Sequence, residues 1–192
     1  MRQAGTLKMR KQQGFVLFIV LMVMMVVALF VVAATQSYNT EQRISANDTD
    51  RKFAQSLAQA ALRAGEREVY ALGRENIRFS SECAGGMCTA VGSVSPPDNL
   101  RISISGSPTV AAWERMCGNV LCVERNGKRY DVGGLNQNRD SRYIIEFIKF
   151  DAETGIEVYR VTARAKGKTA NTVAWAQGYV RRRQNFVGYA EG

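Results

Sequence analysis

A short basic segment followed by a long uncharged apolar run constrains this chain more than any other feature. Residues 1–14 carry four basic side chains, and the apolar run extends from Phe15 to Ala34. A helix of about 20 residues is roughly 30 Å long, which matches the hydrocarbon core of a bilayer. The segment 35–40 that follows has no charge. Because basic flanks stay in the cytoplasm, we predict a single-pass membrane helix with an exported C-terminal domain.

The four cysteines all belong to the predicted exported part, where oxidising conditions permit structural disulfides. They form two pairs with four residues between the partners. We favour bridges between Cys83 and Cys88 and between Cys117 and Cys122, with cross-bridges between the two pairs as the alternative. A zinc site is disfavoured because the two-residue spacing of zinc knuckles is missing. We predict no metal and no cofactor.

The residue inventory argues against an enzyme. The chain has no histidine, which excludes His-dependent general-base catalysis and Ser-His triads. We find no glycine-rich phosphate loop with its lysine. Two carboxylate pairs, Asp48 with Asp50 and Glu66 with Glu68, are assigned to the solvated face of a helix. The net charge of +9 falls to about +5 without the four basic leader residues, which we interpret as an ordinary soluble surface.

The apolar run continues into a polar but strongly helical stretch, residues 35–72, and no proline occurs before Pro96. We therefore predict one long helix that stops near Gly73, with a kink near residues 45–50 as the alternative. Apolar residues at helical spacing line one face, which we predict to pack against partner subunits. The residues assigned to this stripe are Phe53, Leu57, Ala61 and Ala64.

Residues 73–192 have the composition of a β domain. We predict a short strand around Ile102 and Ile104, a small helix at Pro108–Met116 that packs through Trp113, and a hairpin followed by a last strand. The hairpin strands are Arg142–Phe150 and Ile156–Ala165, the last strand is Thr172–Val180, and the arginine-rich tail from residue 181 is a frayed or edge segment. The predicted fold class is α+β, a long helix packed on an antiparallel sheet.

The junction Gly14-Phe15 resembles the prepilin peptidase site of type IV pilins and type II secretion pseudopilins. Residues 14 to about 66, including Gln36-Ser37-Tyr38-Asn39-Thr40 and Ala54-Gln55-Ser56-Leu57-Ala58, are similar to minor pilins of the PilX/PilK type. The late strands and the paired cysteines are similar to the Neisseria-like PilK branch. This resemblance implies a type IV pilin-like fold, cleavage between Gly14 and Phe15, and N-methylation of Phe15.

The family places a glutamate at the fifth position of the mature chain, where this sequence has Ile19. The resemblance implies that this glutamate pairs with the terminal ammonium of the subunit above it in the filament. An unpaired carboxylate in an apolar bundle costs several kcal/mol. A subunit at the top of a filament has no ammonium above it, so Ile19 is interpreted as the signature of a tip subunit.

These features together predict a minor pilin that primes type IV pilus assembly at the filament tip. The implied partners are other minor pilins, the major pilin, a tip adhesin, the prepilin peptidase and the inner membrane. A tip pseudopilin of a type II secretion system and a signal-anchored periplasmic binding module are alternatives. A DNA-uptake receptor pilin is a further alternative, for which Arg160, Arg164, Lys166 and Lys168 would form the binding stripe.

Overall fold

The computed structural model describes residues 13–73, 76–131, 140–169 and 171–183. Helix α1 (Gln13–Ala71) is helical throughout and ends two residues before the predicted stop at Gly73. The chain divides into two compact units between Asn47 and Asp48, within the stretch where the sequence allows a break. The first unit contains the apolar half of α1, and the second contains its last turns and all of the strands.

The second unit contains one large sheet and one small hairpin. The elements are β1 (Ile77–Ser80), β2 (Met87–Thr89), β3 (Ile102–Ser105), β4 (Met116–Cys117), β5 (Val120–Leu121), α2 (Cys122–Asn126), β6 (Lys128–Arg129), β7 (Ser141–Asp151), β8 (Ile156–Lys166) and β9 (Val173–Arg183). The large sheet has the order β3-β1-β2-β7-β8-β9, and β6 pairs with β7. Strands β4 and β5 form the separate hairpin.

The three long C-terminal strands form an antiparallel meander, which confirms the predicted hairpin and last strand. The turn between β7 and β8 has local chemistry that favours it. The Asp151 carboxylate accepts the backbone N–H groups of Glu153 and Thr154 at 3.0 and 3.2 Å, and Gly155 has a φ of 65°. Glycine adopts this left-handed conformation at little cost, so the turn residues set the register of the strands on either side.

The predicted sheet is correct only in its antiparallel part. Strand β2 joins β7 in parallel, β1 joins β2 in parallel, and β3 joins β1 in parallel. These three strands are short, and parallel pairing depends on crossover connections rather than on tight turns. No local turn signal distinguishes the two orientations, so the α+β class is confirmed while the uniformly antiparallel sheet is corrected.

The predicted small helix at Pro108–Met116 is wrong. This segment contains bends and a turn at residues 112–114, and the N–H of Glu114 bonds to the carbonyl of Ala111 at 3.0 Å. The carbonyl of Val110 is taken by the Arg115 guanidinium, which donates to it from Nη2 at 2.8 Å. A side chain thus occupies a carbonyl that a helix would need for its own ladder.

The C-terminal part of α1 packs on one face of the meander through small residues. The most closely packed helix positions, spaced at three or four residues, are Ala54, Ala58, Ala61 and Gly65. A Cβ added at Gly65 would lie 2.5 Å from Val161 Cγ1 and 2.8 Å from Tyr143 Cδ2. Because protein interiors are closely packed, such contacts leave no room for a larger residue. The helix therefore approaches the sheet closely.

Candidate functional site

The N-terminal half of α1 is the first candidate functional element. The segment Phe15–Thr35 is helical. By length and composition it is long enough and apolar enough to cross a membrane. Its side chains are exposed within the isolated chain, including Phe15 and Ile19. No acidic residue occurs between Phe15 and Thr40. An unburied apolar surface of this size requires a lipid or protein environment.

The predicted processing site lies at the start of this helix. Phe15 and the backbone of Gly14 belong to α1, whereas the basic residues of the leader lie outside the described residues. Cleavage between Gly14 and Phe15, methylation of the new amine and the tip role of Ile19 therefore stay predictions.

The predicted partner-facing stripe lies against the chain's own sheet. Leu57 and Ala61 are buried, and Phe53 and Ala64 are half-buried. Leu57 packs in a cluster with β8 and β9, and Ala61 belongs to the main core between helix and sheet. Burial inside the subunit therefore already uses this face at Leu57 and Ala61. The periodicity identified an apolar face correctly but not what covers it.

The prediction that Asp50 lies on the solvated face of the helix is wrong. Asp50 is buried, and its carboxylate binds the turn between β8 and β9 rather than solvent. The backbone N–H of Lys168 donates to Oδ1, while Thr169 donates to Oδ2 from its N–H at 3.2 Å and its hydroxyl at 2.7 Å. The Thr169 hydroxyl is the main cause that lowers the pKa of Asp50 from its ordinary value, and the Lys168 N–H is the second. Asp50 fastens the sheet to the helix near the boundary between the two units.

We expect Asp50→Asn to lower the free energy of unfolding at pH 7. A carboxyl whose pKa is depressed in the folded state stabilises the fold above its unfolded pKa of about 3.9, and this contribution is lost as pH falls further through the folded pKa. The difference between wild type and variant should therefore be complete at neutral pH and shrink below about pH 4. Denaturant titrations of the full-length chain in detergent micelles at a series of pH values would measure it.

Asp48→Asn is the matched control, because Asp48 lies one half-turn away and forms an exposed pair with Lys52 at 2.6 Å. Exposed pairs of this type contribute little to stability because solvent screens them. An equal loss of stability in both variants, or a difference for Asp50 that does not depend on pH, would contradict the assigned role.

Glu68 was also assigned to the solvated face, and this prediction is wrong. Its carboxylate accepts the Tyr143 hydroxyl at 2.6 Å and pairs with Lys128. Burial and the nearby Glu68 carboxylate raise the pKa of Tyr143, which keeps the phenol a neutral donor. The interaction joins α1 to β6 and β7 across the core, so the residue is a structural link and not part of a catalytic carboxylate pair.

The opposite face of the sheet is covered by two disulfide-closed loops. The bridges are Cys83–Cys88 and Cys117–Cys122, as the sequence favoured, and the described chain has no free cysteine. Both bridges pack with Ile144 of β7. Within the described ranges, no group of three or more acidic, histidine or cysteine residues is placed to hold a metal ion. With all four sulfurs in bridges, the zinc alternative is removed.

Arg115 fastens these loops to one another. Its guanidinium donates to the carbonyls of Ser81 at 2.8 Å, Thr89 at 3.0 Å and Val110 at 2.8 Å. A planar fork with five donors suits this task because it can satisfy several carbonyls at once. The sequence analysis did not identify Arg115, and no local pattern distinguishes it from an exposed arginine.

A buried ion pair lies beneath the same loops. Arg160 of β8 donates to both oxygens of Glu146 on β7, each at 2.8 Å. The Glu146 side chain is 0% exposed and that of Arg160 is 14% exposed. The Arg160 guanidinium also lies 4.3 Å from the ring centroid of Trp113. Trp113 therefore does pack on the sheet, as predicted, although it does so from a turn.

The basic stripe considered for DNA is largely neutralised. Arg160 pairs with Glu146, and Glu124 pairs with Arg164 at 2.6 Å and with Lys166 at 3.7 Å. Paired cations of this kind have fewer free donors for phosphates than a solvated basic groove. The stripe that the sequence suggests is therefore a weak candidate for nucleic-acid binding.

A second buried ion pair lies at the C-terminal end of α1. Arg182 of β9 donates from Nε to Glu157 of β8 at 2.8 Å, and from Nη1 to the carbonyls of Val69 and Leu72 at 3.2 and 2.6 Å. The last carbonyls of a helix have no partner within the helix. Arg182 satisfies two of them while it neutralises Glu157. The predicted edge location is confirmed for residues 181–183, although Arg182 itself is not frayed, and the rest of the predicted tail lies outside the described residues.

Two family models match the chain. The model described as the type IV pilus assembly protein PilX C-terminal region matches residues 84–182, and the PilX N-terminal model matches residues 13–63. A search of curated proteins and a search of solved structures found no match. The first match includes Cys88, the Cys117–Cys122 bridge and most of the sheet, and the second includes the apolar helix and Asp50. Together they cover most of the sequence, and the chain therefore belongs to the PilX family of type IV pilus assembly proteins.

Proposed function

We propose that this chain is a minor pilin that helps to prime assembly of the pilus as part of a complex at the filament tip. The chain would then belong to the PilK branch. It would enter the inner membrane with its C-terminal domain in the periplasm, and it would be cleaved between Gly14 and Phe15. The protein then acts by packing and not by catalysis. Membership of the family supports a role in pilus assembly. The location at the filament tip and the priming of assembly are what we propose in addition.

The main support for a location at the tip is the residue at position 19. Ile19 lies on a helix that has no carboxylate between Phe15 and Thr40. The side chain of Ile19 is exposed on the apolar helix of the isolated chain. A subunit within a filament needs a carboxylate to meet the ammonium of the subunit above it. A terminal subunit has no such ammonium to meet, so an aliphatic residue there avoids an uncompensated charge.

We expect Ile19→Glu to reduce piliation, because a glutamate with no ammonium above it costs several kcal/mol in an apolar bundle. Counts of surface pili per cell and immunoblots of sheared filaments would measure the effect, with membrane levels of the chain recorded in parallel. Ile19→Leu is the matched control and should preserve piliation, since volume and polarity are almost unchanged. Full piliation with the glutamate variant present at normal level would contradict the tip argument.

The alternative of a type II secretion tip pseudopilin shares the same physical argument about Ile19. Deletion of the chain separates the two. Loss of surface pili with normal exoprotein release supports the pilus proposal, whereas normal pili with blocked release supports the pseudopilin.

Processing provides an independent test of the premise. Intact mass and terminal peptide analysis should find a chain that begins at N-methylated Phe15 only in cells that contain the prepilin peptidase. A chain that keeps residues 1–14 in both strains would instead indicate a signal-anchored periplasmic domain.

A further inference from the structure

Strand β9 carries a row of exposed side chains that the proposed function does not use. On the face away from α1, every second residue points outward, and the row reads Trp175, Gln177, Tyr179, Arg181 and Arg183. Trp175 is 44% exposed and Tyr179 is 62% exposed. We call this row the β9 stripe. Tryptophan, tyrosine and arginine are the residues most enriched at the energetic centres of protein interfaces.

The charge around the β9 stripe is positive. Glu146 of β7 and Glu124 of α2 both already pair with cations of β8, the strand next to β9. Among the residues that the structure describes, no carboxylate pairs with Arg181 or Arg183. Strand β9 itself contains three arginines and no acidic residue. A partner that complements this surface must therefore be acidic.

Strand β9 is also the last strand of the described sheet, so one side of its backbone has no neighbouring strand. It is long for an edge, with 11 residues. Proteins usually protect such edges with charges, and the arginines serve this purpose against neutral strands. Two aromatic rings share this row, and they lie 5.6 Å (Trp175) and 6.0 Å (Tyr179) from the guanidinium groups of Arg164 and Arg160 on β8 while their outer faces stay exposed. An exposed sheet edge is the arrangement used for strand addition, in which backbone hydrogen bonds give affinity and side chains on one face give specificity.

We infer that the β9 edge and stripe bind an extended acidic strand from another subunit of the same pilus. The partner strand would form backbone hydrogen bonds with β9, place carboxylates against Arg181 and Arg183, and cover Trp175 and Tyr179. A second copy of this chain fits less well, because β9 has three arginines and no acidic residue to offer to another β9 strand. Nucleic acid would use the aromatic and basic groups but not the open backbone edge. The choice of a pilus subunit rests on the proposed function.

The experiment places a photo-crosslinking aromatic amino acid at Tyr179 in the full-length chain, in cells with an intact pilus machinery. Tyr70 is the matched control position, since it is a tyrosine with 63% exposure on α1, on a different element. After illumination, mass spectrometry identifies the crosslinked peptide. We expect a pilus subunit joined to position 179 through an extended segment that contains acidic residues, with little of that product from position 70.

Charge reversal at the two exposed arginines, Arg181→Glu with Arg183→Glu, should lower the crosslinking yield at position 179 at least tenfold. Thermal unfolding of the variant should match the parent, because both arginines are exposed. Crosslinks to nucleic acid, to a second copy of this chain, or to the same partner with equal yield from position 70 would overturn the inference, and so would an unchanged yield after charge reversal.

The same cells distinguish this inference from the proposed function. If deletion of the chain leaves piliation intact, the assembly role fails, whereas an acidic pilus strand crosslinked at position 179 still establishes the surface. If deletion abolishes pili and position 179 gives no specific product, the assembly role stands and the β9 surface is wrong.

Discussion

Replacing Arg182 by methionine should destabilise the domain by about 3–5 kcal/mol, the usual cost of removing one member of a buried ion pair. The Glu157 side chain is 0% exposed and that of Arg182 is 16% exposed, so the carboxylate would be left without its cation. The carbonyls of Val69 and Leu72 at the end of α1 would also lose a donor. Denaturant titration of the full-length chain in detergent micelles measures the change.

Arg183→Met is the control for this prediction, since Arg183 is the next residue on β9 and is exposed. We expect a change within about 0.5 kcal/mol for it. The double variant Arg182→Met with Glu157→Met should recover most of the loss, because no buried charge remains unpaired. It should not recover all of it, since the helix carbonyls still lack their donor. Equal stability of the Arg182 and Arg183 variants would contradict the assigned role.

The second large effect is expected for Arg160→Met on the other face of the sheet. Glu146 is fully buried and receives two hydrogen bonds from Arg160, so its isolation should again cost about 3–5 kcal/mol. The Arg160 and Arg182 substitutions should loosen different parts of the domain. Arg160 lies over Trp113, so its loss should loosen the loops closed by disulfides rather than the end of α1.

A Trp175→Phe background leaves Trp113 as the remaining tryptophan of the chain. In that background, Arg160→Met should shift the fluorescence of Trp113 and increase hydrogen exchange in residues 81–115, while exchange near residues 69–72 stays low. Arg181→Met, on the same outer face of the next strand, is the control and should leave both signals unchanged. Faster exchange at the helix end alone would show that the two ion pairs do not stabilise separate faces.

The sheet is therefore held from both sides by buried charge as well as by apolar contacts. On the helix side, Asp50 and Arg182 bind near opposite ends of the packed part of α1. On the loop side, Arg115 and Arg160 hold the disulfide-closed segments.

Much of the local structure was predictable from sequence. The apolar helix follows from the length of an uncharged run, the β7–β8 hairpin from alternation and a turn at Asp151 and Gly155, and the disulfides from spacing. The stripe on α1 was predicted as an apolar face, but its assignment to a partner surface was not supported for Leu57 and Ala61. Periodicity reports which residues avoid water and does not report which surface covers them.

The ion pairs and the parallel strands depended on tertiary structure. Asp50 and Thr169 are 119 residues apart, and Arg182 and Leu72 are 110 residues apart. No local pattern separates an arginine that closes a helix from its exposed neighbour Arg183. The sequence by itself determined the membrane-length helix, the absence of an acidic side chain at position 19, where Ile19 stands, and the local turns. Each of these depends on residues close together in the chain. Only the tertiary structure decided which charges are buried and which face of α1 is covered, because those depend on elements that meet after folding.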